Sequence, residues 1–183
     1  MIANTPTAWD ERAQAPSAWQ AALWSERGQT QRFLAVLRAL ELQPGERLLD
    51  YGCGIGRFCE FLPEGVHYQG FDWSEEMMKR ARTQYPHGSF IPLYPTAGFD
   101  HIVCIGTFNL ADNWSREQTW GKLEELWKMA RSTLVVSLYR GEDPDSLRYD
   151  PVSAAVFAET LGCTRCTIET GYLPNDLLLV LRR

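Results

Sequence analysis

What this chain lacks narrows the field first. Nowhere in its 183 residues does an uninterrupted apolar run reach the ~18 residues of a membrane-spanning helix, which excludes an integral helical membrane protein. The start, Met1-Ile2-Ala3-Asn4-Thr5-Pro6, has neither the basic residues nor the apolar stretch of a secretory signal, so a cytoplasmic location is expected. Lys and Arg number 18 against 23 Asp and Glu, a formal net charge of −5, and no basic block occurs. Duplex nucleic acid, held through its phosphates, is therefore not an expected partner. Metal ligands are sparse as well. The 3 histidines, His67, His87 and His101, stand far apart, and Cys163-Thr164-Arg165-Cys166 has no second Cys or His pair to complete a zinc site, so no metal is expected. An odd set of 5 cysteines in mostly apolar surroundings reads as reduced thiols rather than a disulfide framework. Repeats, low-complexity tracts and linkers are missing too. At this length one core can hold the whole chain, and residues 1–183 are expected to form a single domain.

What is present is an alternation of strand-length apolar runs with segments of helical period, the pattern of an α/β fold with a mostly parallel sheet. The opening is aromatic and irregular, carrying Trp9, Trp19 and Trp24. Phe33, Val36, Leu37 and Leu40 then mark one face of a helix that stops before Pro44-Gly45. Strands are predicted at residues 47–51, 66–71, 89–91, 101–105, 134–138, 164–170 and 177–181. Between them fall a helix at 56–62 and another reaching Tyr85, with Ser74 as N-cap and Glu75 and Glu76 in its first turn. The capping box Ser115-Arg116-Glu117-Gln118 opens a further helix with Trp120, Leu123, Leu126, Trp127 and Ala130 on one face. Asp150-Pro151 starts the last one, closed by Gly162.

The informative feature is Asp50-Tyr51-Gly52-Cys53-Gly54-Ile55-Gly56, on a junction between strand and helix. Glycines serve where a backbone turns sharply and where a ligand must lie against it with no Cβ in the way. Asp72 follows Gly52 by 20 residues, at the end of the next strand, where a carboxylate can accept two hydrogen bonds from a ribose. A tight turn plus an N-capping aspartate would need no ligand at all. A dinucleotide fingerprint, G-x-G-x-x-G, would put its third glycine at position 57, where Arg57 stands; the spacing here is G-x-G-x-G.

With these motifs the chain resembles the class I S-adenosylmethionine-dependent methyltransferases. Leu48-Leu49-Asp50-Tyr51-Gly52-Cys53-Gly54-Ile55-Gly56-Arg57-Phe58 is similar to the first motif of that family. The second is matched by Gly70-Phe71-Asp72-Trp73-Ser74-Glu75-Glu76-Met77-Met78-Lys79-Arg80-Ala81-Arg82, and the fourth-strand motif by Phe99-Asp100-His101-Ile102-Val103-Cys104-Ile105-Gly106. The ending, Asn175-Asp176-Leu177-Leu178-Leu179-Val180-Leu181, resembles its usual last strand. The resemblance implies a Rossmann-like, doubly wound sheet of seven strands, mostly parallel with the last strand antiparallel, and helices on both faces. It also implies S-adenosyl-L-methionine as cofactor. Gly52, Cys53, Gly54 and Gly56 would then lie against its methionine part, and Asp50 would face the amino group. Asp72 would take the ribose hydroxyls, Trp73 and Met77 the adenine, and Cys104 to Gly106 the region of the transferable methyl. Arg32 is a candidate for the cofactor carboxylate, and reads equally as a solvated helix arginine. One departure stands out: Phe90-Ile91-Pro92-Leu93-Tyr94 offers no acidic residue for the adenine amino group.

At the reacting end, Asn109 is a candidate to orient the acceptor, and Tyr139, with Tyr172, to line its pocket. No His–Asp pair is evident, which an acceptor that is already nucleophilic does not need. The Asn/Asp-Pro-Pro-aromatic signature of enzymes that methylate nucleic-acid or glutamine amino groups is absent. Without an added recognition domain, a small-molecule acceptor attacked at oxygen or nitrogen is expected, from a monomer or homodimer. Residues 1–28, with three tryptophans and prolines at 6 and 16, suit a lid over the site or a simple packing segment. Competing readings are a non-catalytic cofactor-binding partner subunit, an NAD-dependent dehydrogenase and an aminopropyltransferase on a related fold.

Overall fold

Strands β1 (Arg47–Tyr51), β2 (His67–Phe71), β3 (Ser89–Phe90), β4 (Phe99–Ile105), β5 (Ala130–Tyr139), β6 (Arg165–Thr170) and β7 (Asp176–Arg182) make one sheet, ordered β3-β2-β1-β4-β5-β7-β6. The computed structural model describes residues 6–96, 98–112 and 114–183; residues 1–5, read above for a secretory signal and as the start of a lid, lie outside them. Strands β1 to β5 pair in parallel, and β7 runs antiparallel to both its neighbours. This is the doubly wound, Rossmann-like α/β arrangement expected. The strands of the sheet's centre are buried on both sides, which is why Leu134, Val135 and Val136, or Leu177 to Leu181, read as continuous apolar runs.

Each face carries its own core. On one, α3 (Glu26–Leu40) and α4 (Glu75–Gln84) bring Phe33, Val36, Leu40, Met78 and Ala81 onto Leu48, Val103 and Val135. On the other, α5 (Arg116–Met129) and α6 (Pro151–Thr160) set Leu123, Leu126, Trp127 and Phe157 against Leu49, Ile102, Leu134 and Leu179. Strand order reverses direction at β1, with β2 added on one side and β4 on the other, so a crevice opens beyond the carboxyl end of β1.

The structure departs from the pattern reading in four places. The irregular opening contains two helices, α1 (Pro6–Arg12) and α2 (Ala18–Ala21), the second capped by Ser17. The helix expected at 56–62 is a 3-10 turn over Arg57–Phe61, because left-handed Gly56 and Pro63 leave too few residues for an α-helical ladder. β5 starts directly after α5, earlier than residue 134, its first turn toward solvent masked by exposed Arg131 and Ser132. β4 likewise begins at Phe99, since Asp100 interrupts the apolar signal.

Candidate functional site

The cavity over β1 has a volume of about 210 Å³ and is walled by four parts of the chain. The glycine turn gives Asp50, Gly52, Cys53 and Gly54; the end of β2 and the start of α4 give Asp72, Trp73 and Met77. The end of β4 and its loop give Ile105, Gly106, Thr107, Leu110 and Trp114. The roof comes from the N-terminal segment and α3, with Trp9, Ala18, Ala21, Trp24, Gln29 and Phe33.

Backbone hydrogen bonds shape the turn. The N–H groups of Gly52 and Cys53 both donate to the Phe71 carbonyl, at 2.7 and 3.0 Å. Gly54 donates to Asp72 Oδ2 and Ser74 to Asp72 Oδ1, each at 2.9 Å, so this carboxylate ties the glycine turn to the start of α4. Gly54 has φ +54° and no heavy atom within 4 Å of where a Cβ would stand, so its backbone faces open cavity. The two flanking glycines answer to packing instead: a Cβ on Gly52 would overlap Thr107, and one on Gly56 the Phe90 ring.

Burial sets the electrostatics. Asp50 is 2% exposed, accepts a hydrogen bond from Tyr68 OH at 2.9 Å, and has its pKa pushed up to about 7 by desolvation, with Asp72 adding to the rise. Burial raises Asp72 as well, against the lowering effect of its backbone donors. A carboxyl held above its unfolded value contributes stability fully below the unfolded range, ~4, and loses it as pH climbs through about 7. Urea unfolding of the wild type is therefore expected to show stability falling across that window. Asp50→Asn, which keeps an acceptor for Tyr68, should flatten the fall, and an unaltered slope in the variant would contradict this.

The structure brings Asp50, Gly52, Cys53, Gly54, Asp72, Trp73, Met77 and Gly106 around one cavity. Five other candidates stand elsewhere. Arg32 is bound bidentately to Asp176, with Nε at 2.5 Å and Nη2 at 2.9 Å, and does not line the cavity. Gly56 sits behind the turn against Phe90, and Cys104 is fully buried within the sheet core. The side-chain oxygen of Asn109 accepts the Tyr139 N–H at 3.0 Å, so these two candidates are joined to each other away from the cavity. Asn109 thereby anchors the loop after β4 to the end of β5, and its backbone carbonyl accepts from Leu147.

Sequence reasoning passed over Arg57 and Gln29. Arg57 lines the cavity, is 16% exposed, donates from Nη1 to Gln29 Oε1 at 2.7 Å, and lies against the Trp19 ring. Its signal was its place directly after the last glycine of the turn. That of Gln29, a polar residue only 3% exposed on the inner face of α3, becomes visible only once α3 is docked. The N-terminal segment is fastened to α4. Asp10 accepts from Ser74 Oγ and from the Glu76 N–H, and Arg80 donates to the carbonyls of Ala13 and Ala15.

Residues 24–129 match a family model described as a methyltransferase domain. No curated protein matches the chain. Among solved structures, it superposes on the N-methyltransferase NodS from Bradyrhizobium japonicum WM9, in complex with S-adenosyl-L-homocysteine. That match has a TM-score of 0.74 and 15% identity, over 98% of this chain and 98% of that one. Magnesium protoporphyrin IX methyltransferase from Synechocystis PCC 6803, with bound SAM, gives 0.70 and 17%, over 100% and 93%. A TehB-like SAM-dependent methyltransferase from Corynebacterium glutamicum gives 0.66 and 18%, over 97% and 98%. At such identities these likenesses carry the fold. No helix among the described residues is long and apolar enough to cross a membrane.

Proposed function

Since the chain belongs to the methyltransferase-domain family, we propose that it is an S-adenosylmethionine-dependent methyltransferase whose cavity over β1 holds the cofactor. One observation carries this reading: a glycine backbone with open space at its Cβ position, Gly54, is hydrogen-bonded to a buried carboxylate, Asp72, in the wall of the same cavity. The residues present fit the group. A carboxylate has about four lone-pair positions. Asp72 accepts from the Gly54 and Ser74 N–H groups, with the Trp73 N–H also acting on it, and its remaining acceptor capacity faces the cavity, where ribose hydroxyls would lie. Trp73 and Met77 offer apolar walls to an adenine ring, and Asp50 a negative charge to a cationic ammonium or sulfonium. Arg57, which donates to Gln29 and whose ion pairs with Glu26 and Glu60 are long, at 3.9 and 3.6 Å, is the cavity cation suited to the carboxylate.

When bound, S-adenosylmethionine supplies an electrophilic methyl that an acceptor takes by in-line displacement. The chain contributes alignment and dryness. Trp24, Ile105, Leu110 and Trp114 exclude water from the end of the cavity near Gly106. None of these side chains can take a proton, so the acceptor must bind with its lone pair already free and lose any displaced proton to water after transfer; holding it in line is worth up to ~7–11 kcal/mol. The acceptor is a small molecule attacked at oxygen or nitrogen, a reading supported by the absence of an Asn/Asp-Pro-Pro-aromatic signature after β4. The N-terminal segment, pinned by Asp10 and Arg80, acts as the cover that dries the site.

Incubating the protein with methyl-labelled cofactor and a small-molecule cell extract tests this. Label should appear in a small molecule, and removing residues 1–16 should lower turnover more than cofactor affinity. Tight cofactor binding without label transfer, together with a stably co-purifying protein, would replace the enzyme reading with that of a partner subunit.

A further inference from the structure

One wall of the cavity is held in place by groups that never touch the cavity themselves. Trp24 stands between α2 and α3, lines the cavity, and approaches Gly106 so closely that a Cβ there would overlap the indole. Gly106, at φ +73°, leaves room for that approach at the end of β4. The Arg32 guanidinium lies over the Trp24 ring, 4.5 Å from its centroid. Arg32 is in turn fixed by Asp176, 1% exposed at the start of β7, whose carboxylate also accepts from Tyr172 OH at 3.4 Å. Just before the tryptophan, Leu23 takes φ +59° as the left-handed residue that closes α2, and the Trp24 N–H donates back to the Trp19 carbonyl at 2.7 Å. The closure of α2 on one side and a buried ion pair on the other thus position the indole.

That place is the reacting end of the cavity. Strand order β2-β1-β4 puts Asp72, Trp73 and Met77 at one end and Gly106 at the other, with the glycine turn between. A nucleoside held through its ribose at Asp72, with its base against Trp73, directs the sulfur-bearing arm across Gly54 toward Gly106 and Trp24. With the cofactor inside, the room left for an acceptor is what the indole leaves uncovered.

We propose that Trp24 is the specificity-determining residue of the acceptor subsite: its indole fills the position over Gly106 and limits the acceptor to a molecule smaller than an aromatic bicycle. This rests on the cavity being the S-adenosylmethionine site. Shortening Trp24 opens the subsite to larger, flat acceptors, while the Asp72 end is untouched.

Calorimetry with indole as the probe tests the assignment. Wild-type protein saturated with S-adenosylhomocysteine should bind no indole, and Trp24→Ala should bind it. The affinity of the variant for indole should change by at least roughly threefold when S-adenosylmethionine replaces the demethylated product, because a site beside the sulfur must be coupled to the methyl. Trp24→Leu, which keeps apolar packing, should behave alike if the alanine variant does not fold. Failure of every folded variant to bind indole would overturn the proposal. So would one indole affinity common to both cofactor forms and the free protein, since the indole would then be packing remote from the sulfur. Wild-type protein that binds neither nucleoside, seen before any indole is added, would instead overturn the reading of the cavity.

Discussion

Arg32→Ala is expected to destabilise the fold by about 3–5 kcal/mol, the cost of leaving a buried charge without its partner. The stranded group is the Asp176 carboxylate, 1% exposed, left among the described residues with the long hydrogen bond from Tyr172 OH. In a domain of this size each kcal/mol moves the melting temperature by about 2–4 °C, so a fall of roughly 6–20 °C should be seen in thermal denaturation. Arg32→Lys should fall between, since an ammonium keeps the charge but loses the bidentate fork and the flat stacking on Trp24. Replacing both partners by apolar residues of similar volume, Arg32→Met with Asp176→Leu, should recover most of the loss. A melting temperature in Arg32→Ala within about 2 °C of wild type would contradict a stabilising pair, on the same scale.

The same pair marks the limit of what the sequence discloses. Arg32 and Asp176 are 144 residues apart, on α3 and β7, and no local periodicity reports that they meet. A cation on a helix near a suspected anion site reads equally as a cofactor ligand or a solvated arginine; the tertiary fold shows the guanidinium paired with Asp176. Cys104 and Gly56 show a related limit. Both belong to local motifs, but whether a motif residue faces ligand or core depends on the neighbour behind it, here the sheet core for Cys104 and the Phe90 ring for Gly56. By contrast, the sheet and the glycine turn were legible because local physics dictates them. Doubly buried parallel strands demand unbroken apolar runs, Ser74, Ser115 and Asp150 cap helices where expected, and the turn needs left-handed residues at Gly52, Gly54 and Gly56. Asp72 was legible through its spacing. The roof formed by α1 and α2 was not, since short helices of mixed polarity show no amphipathic period and owe their place to Asp10 and Arg80.

Asp72→Ala should weaken S-adenosylmethionine by about 1.5–3 kcal/mol, the scale of hydrogen bonds to a charged group, or roughly 10- to 150-fold in Kd. The substitution removes the ribose acceptor and also frees the Gly54 and Ser74 N–H groups that the carboxylate holds at 2.9 Å, loosening the turn the ligand lies on. Asp72→Asn keeps one carbonyl acceptor and should lose less. An affinity within twofold of wild type, with the melting temperature preserved, would remove Asp72 from the binding site.

Which nucleoside the cavity over β1 accepts is decided by one titration. Calorimetry of the intact chain with S-adenosylmethionine, and separately with NAD, should show saturable binding at one site per chain for the sulfonium and none for the dinucleotide. The same site should take S-adenosylhomocysteine, with both nucleosides weakened in parallel by Asp72→Ala. Heat from NAD with no response to S-adenosylmethionine would contradict the account and return the glycine turn to a dehydrogenase reading.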